Sequence, residues 1–281
     1  SKCVAVKFNK SNLSIYKIPY DGLCFVINGT NATVTGNREF FTNSYSGDVT
    51  VPETVSFDGV DYTVTTLGQS CFQSSYVTSV SLPETVKTFE AYAFTECKNL
   101  TSLVIPKGVT GINTSNGVFD GCRLLNISVS PENTKYFVED GVLYFRRTST
   151  TYQVSWIQEN KTGELVLKPG TVEMGSNNCP NINVSRIVFP EGFDSCHWGL
   201  GSKSVGADDL TCEFSDADYE AFYRRYRSNW SNFAYCFGRD SIGKVTLSIS
   251  SASEEDWAKY KALKDTFHFK NIVDRRTGET Y

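Results

Sequence analysis

Histidine is almost missing from this chain: His197 and His268 are the only two in 281 residues. A histidine-centred catalytic dyad or a histidine-rich metal site therefore has almost no members to draw on. No stretch reaches the roughly eighteen consecutive apolar residues that a membrane-crossing helix needs. A dominant charge is missing too. The 27 basic side chains face 31 acidic ones, a net −4, which sets up no field for a phosphate backbone or an anionic lipid. Nucleic acid is accordingly not an expected partner. The chain starts Ser-Lys-Cys with no charged-then-apolar leader, so a processed or truncated form is expected and export cannot be read directly.

What is present describes a folded chain: 40% hydrophobic, 14% aromatic and 21% charged residues, far from the polar, highly charged composition of disorder. Nine cysteines, at 3, 24, 71, 97, 122, 179, 196, 212 and 236, are an odd number. At least one thiol is therefore free or pairs between molecules. Sequence assigns no disulfide pairing among Cys179, Cys196, Cys212 and Cys236, and buried free thiols are the expectation.

Internal repetition is the strongest signal. "VTTLGQSCFQSSYVTSVSLPETV" starts at Val64, "VKTFEAYAFTECKNLTSLVIPKGV" at Val86 and "VTGINTSNGVFDGCRLLNISVSPEN" at Val109, so the starts lie 22 and 23 residues apart. Phe72, Phe94 and Phe119 recur at 22 and 25; Pro83, Pro106 and Pro131 recur at 23 and 25. Such a period belongs to solenoids in which each coil buries its apolar edge only against its neighbours. "TSVSL" and "TSLVI" alternate in the period-two manner of a half-buried strand, a proline ends each one, and a second short strand ("VKTF", "VTGI") follows. "EAYAFTEC" is too short for an isolated helix and is expected to form a single helical turn. A fainter fourth coil is legible in residues 163–193, with Pro190 in the role of Pro106.

These residues resemble the repeat of the BspA-like leucine-rich-repeat family of bacterial surface proteins, roughly "IP-x-x-V-x-x-I-x-x-x-A-F-x-x-C-x-x-L-x-x-V". "TFEAYAFTECKNLTSLVIPKGV" matches nearly throughout. "DGLCFVINGTNATVTG" and the segment after it are similar to that family's N-terminal hairpin cap, "FVEDGVLYFRRTSTTYQVSWIQENKTGELVLKPGTV" to a hairpin that interrupts its arrays, and "SEEDWAKYKALKDTFHFKNIVD" to a closing helix and strand. The resemblance implies a β-rich α/β fold. That fold is a right-handed leucine-rich-repeat solenoid of roughly four to six coils, with a β-hairpin N-terminal cap and a helical C-terminal cap. The expected organisation is a β cap over 1–48, the solenoid over 49–193 with an inserted hairpin near 136–157, and an irregular and helical capping region over 194–281. Together these would form one continuous structural unit. It further implies a non-catalytic adhesion or binding protein, secreted or held at the cell surface, with a lipid anchor outside this sequence as one means of attachment. The expected partner is a host or neighbouring-cell surface protein or glycan, with oligomeric state left open. No cofactor, metal or catalytic residue is expected.

Individual motifs divide into structural and functional readings. Cys97 and Cys122 each follow the repeat Phe by three residues, and the preceding coil has Ser75 there. A position that accepts Cys, Cys and Ser asks for a small side chain, not a metal ligand; Cys71 and Ala93 make a second such slot. "GRDSIGKV" (238–245) nearly spells a phosphate-binding loop, but Val245 stands where Ser or Thr would hold magnesium, and "VTLSIS" reads as strand where a helix should begin. "SDADYE", with Asp216, Asp218 and Glu220, lacks the turn glycine and distal glutamate of a calcium loop. Tyr219, Phe222, Tyr223, Tyr226 and Trp230 draw one stripe along a helix, read first as a cap on the chain's own core. The candidate ligand contacts are Tyr144, Tyr152 and Trp156 of the hairpin, with Trp198 and Trp230. Exposed Trp156, Trp198 or Trp230 along a groove would favour a second reading, a glycan-binding accessory module of a polysaccharide-uptake system. A third reading is a hydrolase with its site in 194–251. The outward strand residues Ser79, Ser81, Ser102 and Val104 look bland.

Overall fold

The computed structural model describes residues 6–10, 13–20, 22–36, 45–159, 161–174, 183–196, 210–215, 219–220, 223 and 242–281. The chain divides into two compact units, residues 1–143 and 144–281. Both are made of short strands joined by turns.

The N-terminal unit opens with an antiparallel meander of β1 (Val6–Lys10), β2 (Leu13–Tyr20), β3 (Leu23–Asn28) and β4 (Asn31–Thr35). From β4 the pairing becomes parallel: β7 (Val60–Leu67), β9 (Thr88–Phe89) and β11 (Gly111–Ile112) follow in order. Strand β6 (Thr54–Phe57) folds back on β7 through Asp58-Gly59, whose φ values of 50° and 74° are those of a tight hairpin turn. A second parallel ladder runs β5 (Ser46–Thr50), β8 (Tyr76–Ser81), β10 (Ser102–Ile105) and β12 (Asn126–Val129), and β13 (Tyr136–Glu139) follows it in the chain. The chain alternates between the two ladders, one strand to each per coil. Val80, Leu103 and Ile127 face each other along the second ladder and are buried. The repeat phenylalanines form a column beside them. Phe72 and Phe94 stack with centroids 5.4 Å apart, and Phe94 and Phe119 with centroids 5.9 Å apart. Each ring is almost wholly out of water, worth about 2–3 kcal/mol of apolar burial apiece.

The segment that carries these rings is not the helical turn expected from "EAYAFTEC". Alternate N–H groups leave the coil. Ser70, Phe72 and Ser74 donate to the carbonyls of Ala91, Ala93 and Thr95 at 2.8–2.9 Å, and Tyr92, Phe94 and Glu96 donate to those of Asn116, Val118 and Asp120. The N–H groups between them fold back three residues, as from Cys97 to Phe94 O at 3.0 Å. A helix would spend all of these donors within one coil. The alternation requires positive φ at Ser70, Ser74, Tyr92 and Glu96 (56–60°), where the third coil has Gly117 and Gly121. These turns therefore add hydrogen bonds between coils, which a helical turn would lack.

The C-terminal unit repeats the plan. Strands β14 (Val142–Arg146), β15 (Tyr152–Ile157), β17 (Thr171–Met174) and β19 (Ser195–Cys196) lie in that order, parallel from β15 onward. The other ladder is β16 (Thr162–Val166), β18 (Asn183–Phe189), β20 (Leu210–Phe214), β21 (Val245–Ile249) and β22 (Asn271–Asp274), parallel throughout. Parallel pairing thus continues beyond residue 193, where the repeats were expected to give way to irregular structure. Phe189 and Phe214 stack at 4.6 Å. Helix α1 (Glu254–Phe267) links β21 to β22 and buries Trp257, Tyr260 and Leu263. Ser253 caps its start by accepting from Asp256 N at 3.1 Å, three acidic residues fill the first turn, and His268 ends it in the left-handed conformation.

Hairpin β14–β15 holds in this unit the place that β3–β4 holds in the other. Both follow Asp-Gly ("DGVLYFR", "DGLCFVI"), and both hand over to a parallel strand through a register shift near the start of their second strand, at Tyr152/Gln153 and Ala32/Thr33.

Candidate binding surface

The outer face of the ladder β5-β8-β10-β12 is set by its first pairing. Ser46 and Gly47 oppose Tyr76 and Val77, but Asp48 opposes Ser79, so Thr78 is an extra residue. The bulge, with Gly47 at φ 70°, aims two hydroxyls at one carboxylate: Asp48 Oδ1 accepts from Thr78 Oγ1 at 2.8 Å and from Ser79 Oγ at 2.6 Å. Those two bonds, Ser79 first, hold the Asp48 carboxyl below the usual carboxylate range. It is charged at neutral pH. A cavity of about 240 Å³ opens between β8 and β10, lined by Ser79, Ser81, Glu84, Ser102, Val104 and Pro106. Val104 is 57% exposed and Tyr76, at the start of β8, 67%. Glu84 accepts from Lys107 N at 2.9 Å, and the Lys107 ammonium turns to Glu132 at 3.3 Å.

The corresponding ladder of the C-terminal unit has the same bulge with other chemistry. Gly163, at φ 77°, precedes Glu164, which opposes Arg186 and leaves Ser185 extra. Arg186 bridges Glu164 Oε1 at 2.7 Å and Glu213 Oε2 at 2.5 Å. Arg275 reaches Glu213 at 3.8 Å and donates to Ser248 O and Phe214 O. The two registers equate Asp48 with Glu164, Ser79 with Arg186, and Val104 with Glu213.

The aromatic candidates fall elsewhere. Tyr144 is 1% and Trp156 3% exposed, so neither presents its ring to a ligand. Strand β14 buries Val142, Leu143 and Tyr144 in succession instead of alternating, and the Tyr144 hydroxyl accepts from Lys168 N at 3.1 Å. Tyr152 is half-buried, edge-on to Tyr144 at 6.4 Å, with Lys168 above its ring. Trp198 and Trp230 lie outside the described residues, as do His197, Asp216 and Asp218. Of the aromatic stripe, Tyr219 is buried, stacked on Tyr223 at 5.4 Å and edge-on to Tyr260 at 4.9 Å. Glu220 pairs with Lys259 at 3.5 Å. Val245 opens strand β21, as its position after the phosphate-loop look-alike required. In the 194–251 stretch the described strand β20 buries Leu210, Cys212 and Phe214.

The thiols are structural neighbours. Ser75 Oγ lies 3.5 Å from Cys97 Sγ; Cys97 Sγ and Cys122 Sγ each donate to a carbonyl of the preceding coil, Phe72 O and Phe94 O, at 3.0 Å. A hydrogen bond with the Cys122 side chain holds the Cys97 thiol below its ordinary range against the effect of burial, whereas burial pushes Cys71 well above it. Cys71, Cys97, Cys122 and Cys212 are buried and not disulfide-bonded. Cys24 is disulfide-bonded. Among the described residues no group of three His, Cys, Asp or Glu side chains is placed to hold a metal ion, and no helix is long and apolar enough to cross a membrane.

Strand-and-turn coils of about 23 residues, stacked by parallel pairing around a phenylalanine column, define a leucine-rich-repeat architecture. Residues 54–140 match the BspA type leucine rich repeat region in six copies, and this repeat segment belongs to that family. No curated protein matches the chain. Among solved structures, a leucine-rich cell surface protein of Faecalibacterium prausnitzii is 14% identical, over 86% of this chain and 96% of that one, with a TM-score of 0.28. A leucine-rich-repeat protein of Eubacterium ventriosum is 16% identical over 89% and 73%, with a TM-score of 0.41. The pneumococcal vaccine antigen PcpA is 11% identical over 97% and 98%, with a TM-score of 0.26.

What the sequence reading missed is the face it took as bland. The signal was the pair "SGD" and "TGE", 116 residues apart, each a glycine that can take positive φ followed by an acid.

Proposed function

We propose that this chain is a non-catalytic binding protein, exported or held at the cell surface, that presents its ladders to a protein or glycan ligand. The observation that carries this reading is the outer face of β5-β8-β10-β12. Regular pairing holds exposed Tyr76 and Val104, a charged Asp48 and an open cavity in fixed relation. Such a preorganised surface binds at a reduced ordering cost. The Cys24 disulfide supports an oxidising compartment, and the pneumococcal antigen and the Faecalibacterium surface protein fit the same setting. We read the coils as right-handed, the usual sense of parallel crossovers. In the same reading β1–β4 cap the array of the N-terminal unit, and α1 with β22 that of the C-terminal unit. The burial of Trp156 weighs against that residue as a sugar platform.

The test is an array of host-matrix proteins and glycans probed with the intact chain. Saturable capture of a defined ligand is the expected result. Reproducible turnover of a substrate by the pure protein, lost on a point mutation, would overturn the reading.

A further inference from the structure

Resting on that binding role, the internal duplication specifies one partner chemistry. In the C-terminal unit the carboxylate that follows the bulge glycine, Glu164, is met by the Arg186 guanidinium, which crosses to Glu213 on the next strand. At the equivalent places the N-terminal unit has Asp48, Ser79 and Val104. The carboxylate is kept and the cation is not. Among the described residues Asp48 is met by two hydroxyls only, and between the second and third strands, the side on which Arg186 reaches Glu213 in the other unit, there is a cavity of about 240 Å³. Its floor suits an aliphatic stem, with Val104 and Pro106 on it, and Glu84 adds a second carboxylate. Residues 45–140 carry 11 acidic against 5 basic side chains, so the surroundings favour a cation.

We propose that this cavity is a docking site for an arginine side chain of a partner protein. The stem lies in the cavity on Val104, and the guanidinium reaches past Ser79, which lines the cavity, to Asp48 bonded behind it, as Arg186 reaches Glu164. A planar fork suits the carboxylate better than an ammonium. A neutral glycan brings no cation, and a nucleic acid would meet like charge.

The probe is an extended peptide, acetyl-Thr-Thr-Arg-Thr-Thr-amide, titrated at low salt against the intact chain and followed by the Val104 methyl and Ser79 amide resonances. Its glutamine counterpart is the control. The arginine peptide is expected to bind at least tenfold more tightly than the glutamine peptide and to weaken as salt is raised. Asp48→Asn should weaken it at least fivefold, Ser79→Arg should abolish it by filling the site from within, and Glu164→Gln in the other unit should leave it unchanged. Equal affinity for the two peptides, or undiminished binding by folded Ser79→Arg, overturns the assignment. The ligand array separates the two levels. If the array is positive for the intact chain while the arginine peptide fails, the docking site is wrong and the binding role stands. If the array is negative as well, both fall.

Discussion

The two units share a plan and differ in what they do with charge. Each contains a hairpin that follows Asp-Gly, passes from it to two parallel ladders, and places a bulge with a left-handed glycine before an acidic residue on the outer ladder. In the C-terminal unit that acid enters an ion ladder, Glu164–Arg186–Glu213–Arg275, and the face satisfies itself. In the N-terminal unit the same position stays anionic beside hydroxyls and an opening. The scaffold sets where a side chain points, and the residue placed there decides whether the face closes on itself or waits for a partner.

The largest break in this comparison is expected from the core. Phe94 sits between Phe72 and Phe119, and Phe94→Ala should cost about 4 kcal/mol through lost burial and a residual cavity. Denaturant unfolding of the variant should show the loss. Next is Asp274, wholly buried in the C-terminal unit, which accepts from Ser251 Oγ at 2.5 Å, Ser251 N at 3.2 Å and Arg276 N at 3.0 Å. Burial opposes its charge, yet these bonds and Arg276 hold its carboxyl below the usual 3.8. A depressed acid stabilises the fold above its unfolded pKa and loses that contribution as pH falls through the folded value. Asp274→Asn should therefore cost about 2 kcal/mol at neutral pH, and the difference from wild type should shrink as pH drops below about 4. An unchanged difference across that range would contradict it.

Cys97→Ala should lower stability by about 1 kcal/mol, the cost of a small cavity and the weak bonds of its thiol, and leave ligand binding intact. Loss of binding by the folded variant would make the thiol more than a rung in a column. The smallest effect belongs to Arg186→Ser, which converts the closed face into a copy of the open one. Ion pairs this exposed are worth about 0.5–1 kcal/mol, and the loss should diminish in high salt. The variant should also gain affinity for the arginine peptide, read by perturbation of β18 and β20.

The coils were legible because phenylalanine, proline and a small Ser or Cys each occupy one slot in the three aligned coils of the N-terminal array. Ser75, Cys97 and Cys122 do stand in one column. The turn between strands was misread because residues such as Tyr92 and Glu96, ordinary helix residues, adopt positive φ only when the neighbouring coil supplies carbonyls. Only Gly117 and Gly121 hint at it. The later coils were obscured because their spacing loosens. Leu210 and Val245, which open consecutive strands, lie 35 residues apart, against 24 for Ser102 and Asn126. The hairpin aromatics were expected at the surface because a two-stranded ribbon has an open side, but in a larger sheet Tyr144 and Trp156 are covered. The outer face escaped notice because small hydroxylated residues carry meaning only beside the arginine that replaces one of them.

The contrast between the units is tested most directly by one titration of the arginine peptide into the intact wild-type chain, with amides of β8 and β10 observed together with those of β18 and β20. Saturable shifts confined to β8 and β10 are the expected result. Equal shifts in both ladders, or shifts in β18 and β20 alone, would contradict an open N-terminal face set against a self-satisfied C-terminal one.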